Sequence, residues 1–290
     1  MDYPEIRTLP KNPELEGFAA LQTNIPYCER DGREYTLDLI RPWAADQKKE
    51  VRYPLVVFVQ GSGWTTPGRG FEIPQLSELA RKGYVVATVG HRSYLDGYKA
   101  PAFLKDVKTA IRFLRANAEK YNIDPERVGI WGTSSGGNTA LLVGTTAGDP
   151  RFLTEEYADQ PDDVKLVVDC FGPTDLIAMT EENYPTMITN PTSTFALLCG
   201  VPYNAETKAS MAMISPLNYV TSGKDFPAFL LLHGTSDPVV AYSQSTRMFE
   251  RLIDCGYEAE MAKIPGAPHE GSFWSRELLA YVFEWIEQRL

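Results

Sequence analysis

Hydrophobic positions along the chain follow two alternating patterns. Continuous apolar runs of strand length occupy 55–60, 84–91, 128–133, 164–170, 228–233 and 258–264. Between them the apolar residues recur at helical spacing. In 104–121, Leu104, Val107, Ala110, Ile111, Leu114 and Ala118 fall on one stripe with charges opposite, which predicts an amphipathic helix. Segments 74–82, 136–145, 242–255 and 275–290 are predicted helices of the same kind. Strand runs that read as unbroken Val, Ile and Leu are covered on both faces, so the alternation predicts an α/β fold with a mostly parallel sheet and helices on both sides. The leading part differs. Segments 18–26 and 33–40 lie around Asp31-Gly32, the signature of an antiparallel hairpin at the sheet's leading edge.

One stretch breaks the alternation. Residues 171–226 contain no convincing strand, and their composition shifts to Thr, Asn, Pro, Met and Ser. A connection of that length in a compact domain is more often functional than idle. It is read as an insertion over the carboxyl edge of the sheet, where open α/β folds bind ligands; a decorative excursion is the alternative. No repeat or linker interrupts the chain, so residues 1–290 are expected to form a single domain with 171–226 as a cap or pocket insertion.

Composition narrows the function classes. The 290 residues are 43% hydrophobic and 23% charged, away from the corner of low hydrophobicity and high charge where chains stay disordered. With 28 basic and 38 acidic residues the net charge is −10, which disfavours nucleic acid and anionic membrane surfaces as partners. No run of 18 apolar residues occurs. The stretch from Met1 to Arg7 lacks the basic flank and apolar core of a secretory leader, so a cytoplasmic location is expected. Cys28, Cys170, Cys199 and Cys255 are scattered without a CxxC pair, and are expected to be reduced and structural. The oligomeric state stays open, a homodimer included.

The sharpest chemical signal is Gly132-Thr133-Ser134-Ser135-Gly136-Gly137, between the run 128–133 and a predicted helix. This is G-x-S-x-G in its strand–turn–helix context, where the central serine is exposed on a strained turn. Only Ser134 fits as nucleophile, because position 133 is not glycine. A serine hydroxyl needs a base, and the chain has three histidines. His91 precedes the serine, and His233 closes an apolar run before Gly234 and is read as supporting a turn. His269 stands in the loop 266–271 between the last strand and the last helix. Asp237, in the loop 234–239, can orient an imidazole, with Glu270 as a rival acid. The chain order Ser134, Asp237, His269 is that of the α/β-hydrolases and of neither chymotrypsin-like nor subtilisin-like enzymes. The small-residue loop Gln60-Gly61-Ser62-Gly63-Trp64 follows a strand and offers backbone N–H groups to an oxyanion.

These residues carry a family resemblance. The 60–64 loop is similar to the His-Gly-Gly-Gly-Trp motif of hormone-sensitive-lipase-like esterases and of the BD-FAE (feruloyl and acetyl esterase-like) carboxylesterases. His91-Arg92-Ser93-Tyr94-Leu95 through Pro101-Ala102 to Asp106, Asp124-Pro125-Glu126-Arg127-Val128-Gly129, Phe171-Gly172-Pro173-Thr174-Asp175-Leu176, and Leu232-His233-Gly234 before Asp237 also resemble that group. The resemblance runs from Leu55 to the C-terminus. It implies a serine esterase acting on small-molecule acetyl or hydroxycinnamoyl esters of plant-derived sugars or simple alcohols. It also implies oxyanion donors at the N–H groups of Ser62, Gly63 and Ser135. Gln60 replaces the motif histidine and Ser62 its middle glycine, which questions the loop conformation because serine rarely adopts positive φ. Trp64 and the 171–226 segment are expected to shape the acyl and alcohol pockets, with Met179, Met187, Met211 and Met213 as apolar candidates. His91 and His233, and the pair Arg92 and Asp106, read as structural. No metal cluster and no nucleotide-binding loop is evident, so no metal and no cofactor is expected. Competing readings are an arylformamidase-type amidase or serine peptidase with the same three residues, an interfacial lipase, and a non-catalytic binding protein on a hydrolase scaffold.

Overall fold

A computed structural model describes residues 6–290. The hairpin comes first, with strands β1 (Ala19–Arg30) and β2 (Arg33–Pro42) paired antiparallel. Asp31 and Gly32 both take positive φ between them, as a tight primed turn requires. Then follow β3 (Tyr53–Val59), helix α1 (Ile73–Arg81), β4 (Val85–Val89), α2 (Ala102–Ala116), α3 (Ala118–Tyr121), β5 (Ile123–Thr133), α4 (Ser135–Thr145) and β6 (Leu166–Cys170). Short helices α5 (Leu176–Ala178), α6 (Thr194–Cys199) and α7 (Ala205–Met213) fill the next segment, before β7 (Ala228–Gly234), α8 (Ser243–Asp254), β8 (Ala259–Ile264) and α9 (Arg276–Glu287). Among the described residues, eight strands form one sheet in the order β1-β2-β4-β3-β5-β6-β7-β8. It is antiparallel from β1 to β4 and parallel from β3 onward.

The unbroken apolar strands are explained by two cores. On β3, Val57 and Val59 face a cluster with α2, α4 and α8, while Val56 and Phe58 face a second cluster with α1 and α9. Strand β7 does the same, with Leu231 on one side and Leu230 and Leu232 on the other. With both faces buried, period-two alternation of polarity has nowhere to appear. Three boundaries differ most from the sequence reading, the first being β1, which runs on to Arg30 past its expected end at 26. The helix expected over 104–121 ends at Ala116, where Asn117 caps it with a side-chain bond to the Phe113 carbonyl, and restarts as α3. Strand β5 begins at Ile123, earlier than expected, because Ile123 pairs with Tyr53 across the irregular Asp124-Pro125-Glu126 stretch. The four cysteines are unpaired. Among the described residues no helix is long and apolar enough to cross a membrane.

Segment 171–226 carries no strand. Its first root is tied to α8, and a further bond ties that root to the returning part of the segment. The Thr174 and Asp175 N–H groups donate to Gln244 Oε1 on α8 at 2.9 and 2.8 Å, and the Leu176 N–H donates to Ser215 Oγ at 3.0 Å. The segment therefore leaves and rejoins the sheet at fixed points.

Candidate active site

Strand β5 ends at Thr133, and helix α4 starts two residues later, at Ser135. Ser134 bridges them at φ 51° and ψ −123°, a region that costs a non-glycine residue about 1–3 kcal/mol. The turn is held by the Ser134 N–H on the Cys170 carbonyl at 2.8 Å and by the Asn138 N–H on the Ser134 carbonyl at 3.0 Å. It closes this tightly only because Gly136 has no β-carbon, whose place would overlap the Val59 carbonyl.

The structure brings three of the sequence-predicted side chains into one line. Ser134 Oγ lies 2.9 Å from His269 Nε2, and His269 Nδ1 lies 2.7 Å from Asp237 Oδ2. Asp237 comes from the β7–α8 loop and His269 from the β8–α9 loop, both at the carboxyl edge of the sheet. The remaining oxygen of Asp237 accepts the N–H groups of Val239 and Val240 at 2.8 and 2.9 Å. Burial pushes the Asp237 carboxyl up. Hydrogen bonds from His233, His269 and the Val240 N–H outweigh it, leaving the group well below the ordinary carboxylate value and ionised. Because a carboxylate only accepts, Nδ1 of His269 carries the proton and Nε2 is left to accept from Ser134. Phe171 packs on the imidazole, ring centroids 4.5 Å apart. The rival acid Glu270 turns away and accepts the indole N–H of Trp274 at 2.8 Å.

The loop after β3 faces the serine. Its positive φ values fall at Gly63 and Trp64, both 60°, and not at Ser62, so the substituted serine sits without that strain. Hydroxyls on either side of Ser134 pin the loop: the Gly61 N–H donates to Thr133 Oγ1 at 2.8 Å, and the Ser62 N–H to Ser135 Oγ at 2.9 Å. Of the three N–H groups that the resemblance implied, that of Ser62 is thus already bonded to Ser135. Among the described residues the Gly63 N–H has no acceptor, and Ser135 opens α4, where the first N–H groups lack intrahelical partners. Trp64 is 4% exposed and its indole N–H donates to Asn138 Oδ1 at 3.3 Å.

A cavity of about 160 Å³ opens beside Ser134, lined mainly by Gly63, Trp64, Met179, Tyr184, Phe195 and Val240. Met187 lines it too, whereas Met211 is buried in the core and Met213 packs against it. The Arg92 guanidinium pairs with both oxygens of buried Asp106 at 2.8 to 3.0 Å, away from this cavity. His91 is buried with Nδ1 2.8 Å from the Arg92 carbonyl, and burial pushes its pKa down. The described residues hold no cluster of His, Cys, Asp or Glu that could ligate a metal.

A residue that sequence reasoning passed over lies beneath the turn. Asp169 on β6 is fully buried and accepts the Gly172 N–H at 2.9 Å, and its second oxygen has no partner. Burial, only partly offset by that hydrogen bond, raises its pKa to about 8. An unfolded aspartate ionises near 3.9, so the folded state holds this proton more tightly. The resulting stability is complete below the unfolded value and is lost as pH rises toward 8. An Asp169→Asn chain should lack this slope. Urea midpoints measured at pH 5, 6, 7 and 8 are expected to show the two chains diverging by about 1.4 kcal/mol per pH unit, in favour of the asparagine. Parallel profiles would mean that Asp169 is ionised throughout.

A sequence profile for the BD-FAE family matches residues 37–252, a stretch that contains Ser134 and Asp237 and stops short of His269. The chain belongs to the BD-FAE family. Esterase LipQ of Mycobacterium tuberculosis is 30% identical over 254 residues, 87% of this chain and 58% of LipQ. The chain thus spans little more than half of that relative. Among solved structures, a truncated carbohydrate esterase from gut microbiota superposes with a TM-score of 0.80 at 28% identity, covering 96% of this chain and 99% of the other. A bifunctional GH43-CE protein of Bacteroides eggerthii superposes with a TM-score of 0.78 at 32% identity, covering 93% of this chain and 38% of the larger protein. The BD-FAE chain therefore has the α/β-hydrolase fold, with the antiparallel leading pair and helices on both faces that the sequence pattern predicted.

Proposed function

We propose that this chain is a serine carboxylesterase that cleaves short-chain acyl esters, acetylated saccharides foremost. The observation that carries the reading is Ser134 Oγ within 2.9 Å of His269 Nε2 at the edge of an apolar cavity. In the proposed cycle Ser134 Oγ attacks the ester carbonyl and its proton passes to His269 Nε2. Asp237 holds the Nδ1–H and stabilises the imidazolium. The N–H groups of Gly63 and Ser135 receive the oxyanion, each worth ~3 kcal/mol in such a role, while Ser62 serves by locking its neighbour's hydroxyl. His269 then gives its proton to the departing alkoxide, and water, activated by the same imidazole, releases the acid from Ser134.

Size supports a short acyl chain. A dry cavity of ~150 Å³ holds one benzene, so about 160 Å³ suits acetyl to butyryl chains. A feruloyl group, with its substituted ring and three-carbon arm, exceeds it. The saccharide alcohol is supported by the carbohydrate esterase whose fold this chain shares along nearly its whole length.

The test compares kcat/KM for p-nitrophenyl acetate and p-nitrophenyl ferulate, matched in leaving group, with acetate release from acetylated xylo-oligosaccharide alongside. A preference for acetate of about tenfold or more is expected, since several methylene equivalents of misfit separate the two. A ratio near one or below it would overturn the short-acyl reading in favour of hydroxycinnamoyl esters. Turnover of an N-formyl arylamide with neither ester cleaved would move the assignment to an amidase.

A further inference from the structure

His233 was expected only to support a turn. Its imidazole is fully buried, and its hydrogen-bond partners come from the loop that carries Asp237 and from the helix behind it. Nε2 lies 2.9 Å from the Val240 carbonyl and 3.2 Å from Asp237 Oδ2, and Nδ1 lies 2.7 Å from Ser245 Oγ on α8. The tautomer follows from these partners. A carbonyl and a carboxylate can only accept, so Nε2 carries the hydrogen, and the Ser245 hydroxyl donates to Nδ1. The one Nε2–H is shared: it donates to the Val240 carbonyl and lies 3.2 Å from Asp237 Oδ2, so that oxygen has the Nδ1–H of His269 on one side and the His233 N–H on the other, while the Asp237 side chain is closed off from solvent.

We infer that His233, held in one tautomer by Ser245, is a positioning residue that sets the charge of Asp237 and through it the basicity of His269. The inference rests on the esterase reading above, because it concerns the same base. A donor to Oδ2 disperses the carboxylate charge and weakens its pull on a proton shared with His269. It also fixes the rotation of the carboxylate on the side opposite the Val239 and Val240 N–H groups. The titratable and charged groups facing His233 among the described residues are few. Asp237 is in contact, Tyr242 stacks edge-on at 5.6 Å, and His269 stands across the carboxylate. Tyr184 is turned outward to the Val239 carbonyl. Phe171 closes the remaining side, 6.5 Å from the His233 ring and 4.5 Å from that of His269. Nothing else in that shell competes for Oδ2.

Losing the Nε2–H should make the Asp237–His269 pair take up its proton at higher pH, because the carboxylate then has one donor fewer. The experiment measures kcat/KM against pH for p-nitrophenyl acetate in wild type, His233→Leu, His233→Gln and Ser245→Ala. The Gln amide nitrogen stands where Nε2 stood and keeps a donor. For His233→Leu the acid limb is expected to move up by about half to one pH unit, with kcat reduced about tenfold and KM changed less than twofold. His233→Gln should recover most of the shift, and Ser245→Ala, which only frees the tautomer, should move the limb in the same direction by less. A purely structural role would lower the melting temperature and leave the limb where it is in all three, and that result overturns the inference. If His233→Leu does not fold, the Gln and Ser245→Ala profiles decide alone: an unmoved limb in Ser245→Ala rejects the proposal. Ser134→Ala is run alongside. Residual activity there rejects the esterase reading itself, whereas an inactive Ser134→Ala with unmoved limbs rejects only the role of His233.

Discussion

Replacing Ser134 with alanine is expected to lower kcat/KM for p-nitrophenyl acetate by at least ~10⁴-fold while the protein stays folded. The argument is geometric. Among the described residues Ser134 Oγ is the hydroxyl that His269 Nε2 reaches, at 2.9 Å; the neighbouring Ser135 Oγ is engaged with the Ser62 N–H. Without the nucleophile, the N–H groups of Gly63 and Ser135 can still polarise a bound ester, and in other hydrolases such a remnant retains ~10³–10⁴-fold over water. Stability should hold or rise, because alanine removes no buried hydrogen bond other than that to His269. The melting temperature of the alanine chain, measured beside its activity, separates loss of chemistry from loss of fold. Activity within a factor of ten of wild type would place the reaction elsewhere.

The second large effect is on folding. Gly136→Ala is expected to destabilise the chain by more than ~4 kcal/mol, the upper tail of single substitutions, and in practice to give little soluble protein. A β-carbon there would overlap the Val59 carbonyl at the end of β3 and press on Gln60. Both contacts are main-chain atoms of the central sheet, so no side chain can swing aside. The turn would have to open, separating α4 from β3 and displacing the Gly61–Gly63 donors together with Ser134. Chemical denaturation of any soluble fraction checks the size of the effect. A change below about 1 kcal/mol would mean that the strand end yields more easily than close packing of the two backbones implies.

Both effects concern residues that the sequence made conspicuous, and the reason is local. Gly132, Ser134 and Gly136 stand at fixed spacing between an apolar run and a helix, so a turn that only glycine permits leaves its trace in five letters. Asp237 and His269 were legible for a different reason: each sits in the loop after a parallel strand, and the right-handed crossovers of such a sheet bring those loops to one edge. What the sequence withheld are contacts between distant segments. His233 reads as one more residue ending an apolar run, and only the placement of α8 shows that Ser245 Oγ meets its Nδ1. The direction of the Ser62 N–H depends on a hydroxyl 73 positions away. Asp169 lies within an apolar strand, and nothing in the sequence announces that its second oxygen has no partner. The break at Asn117 was hidden because the apolar stripe continues through it into Ala118, so periodicity alone gave one helix where capping makes two.

Asn138 has a consequence that reaches past catalysis. One amide accepts from Trp64 through Oδ1 and, through Nδ2, donates to the carbonyls of Pro173 at 2.8 Å and Ile214 at 3.0 Å. It therefore joins the 60–64 loop, the helix behind Ser134 and both roots of segment 171–226. The stretch from Met179 to Phe195, which walls the cavity, lies between those roots and carries none of these three bonds. Such a layout separates a part of the molecule that holds Ser134 in place from a wall that does not. Exchanging residues of the wall is therefore expected to alter which acid fits beside Ser134 while leaving the bonds of the knot intact.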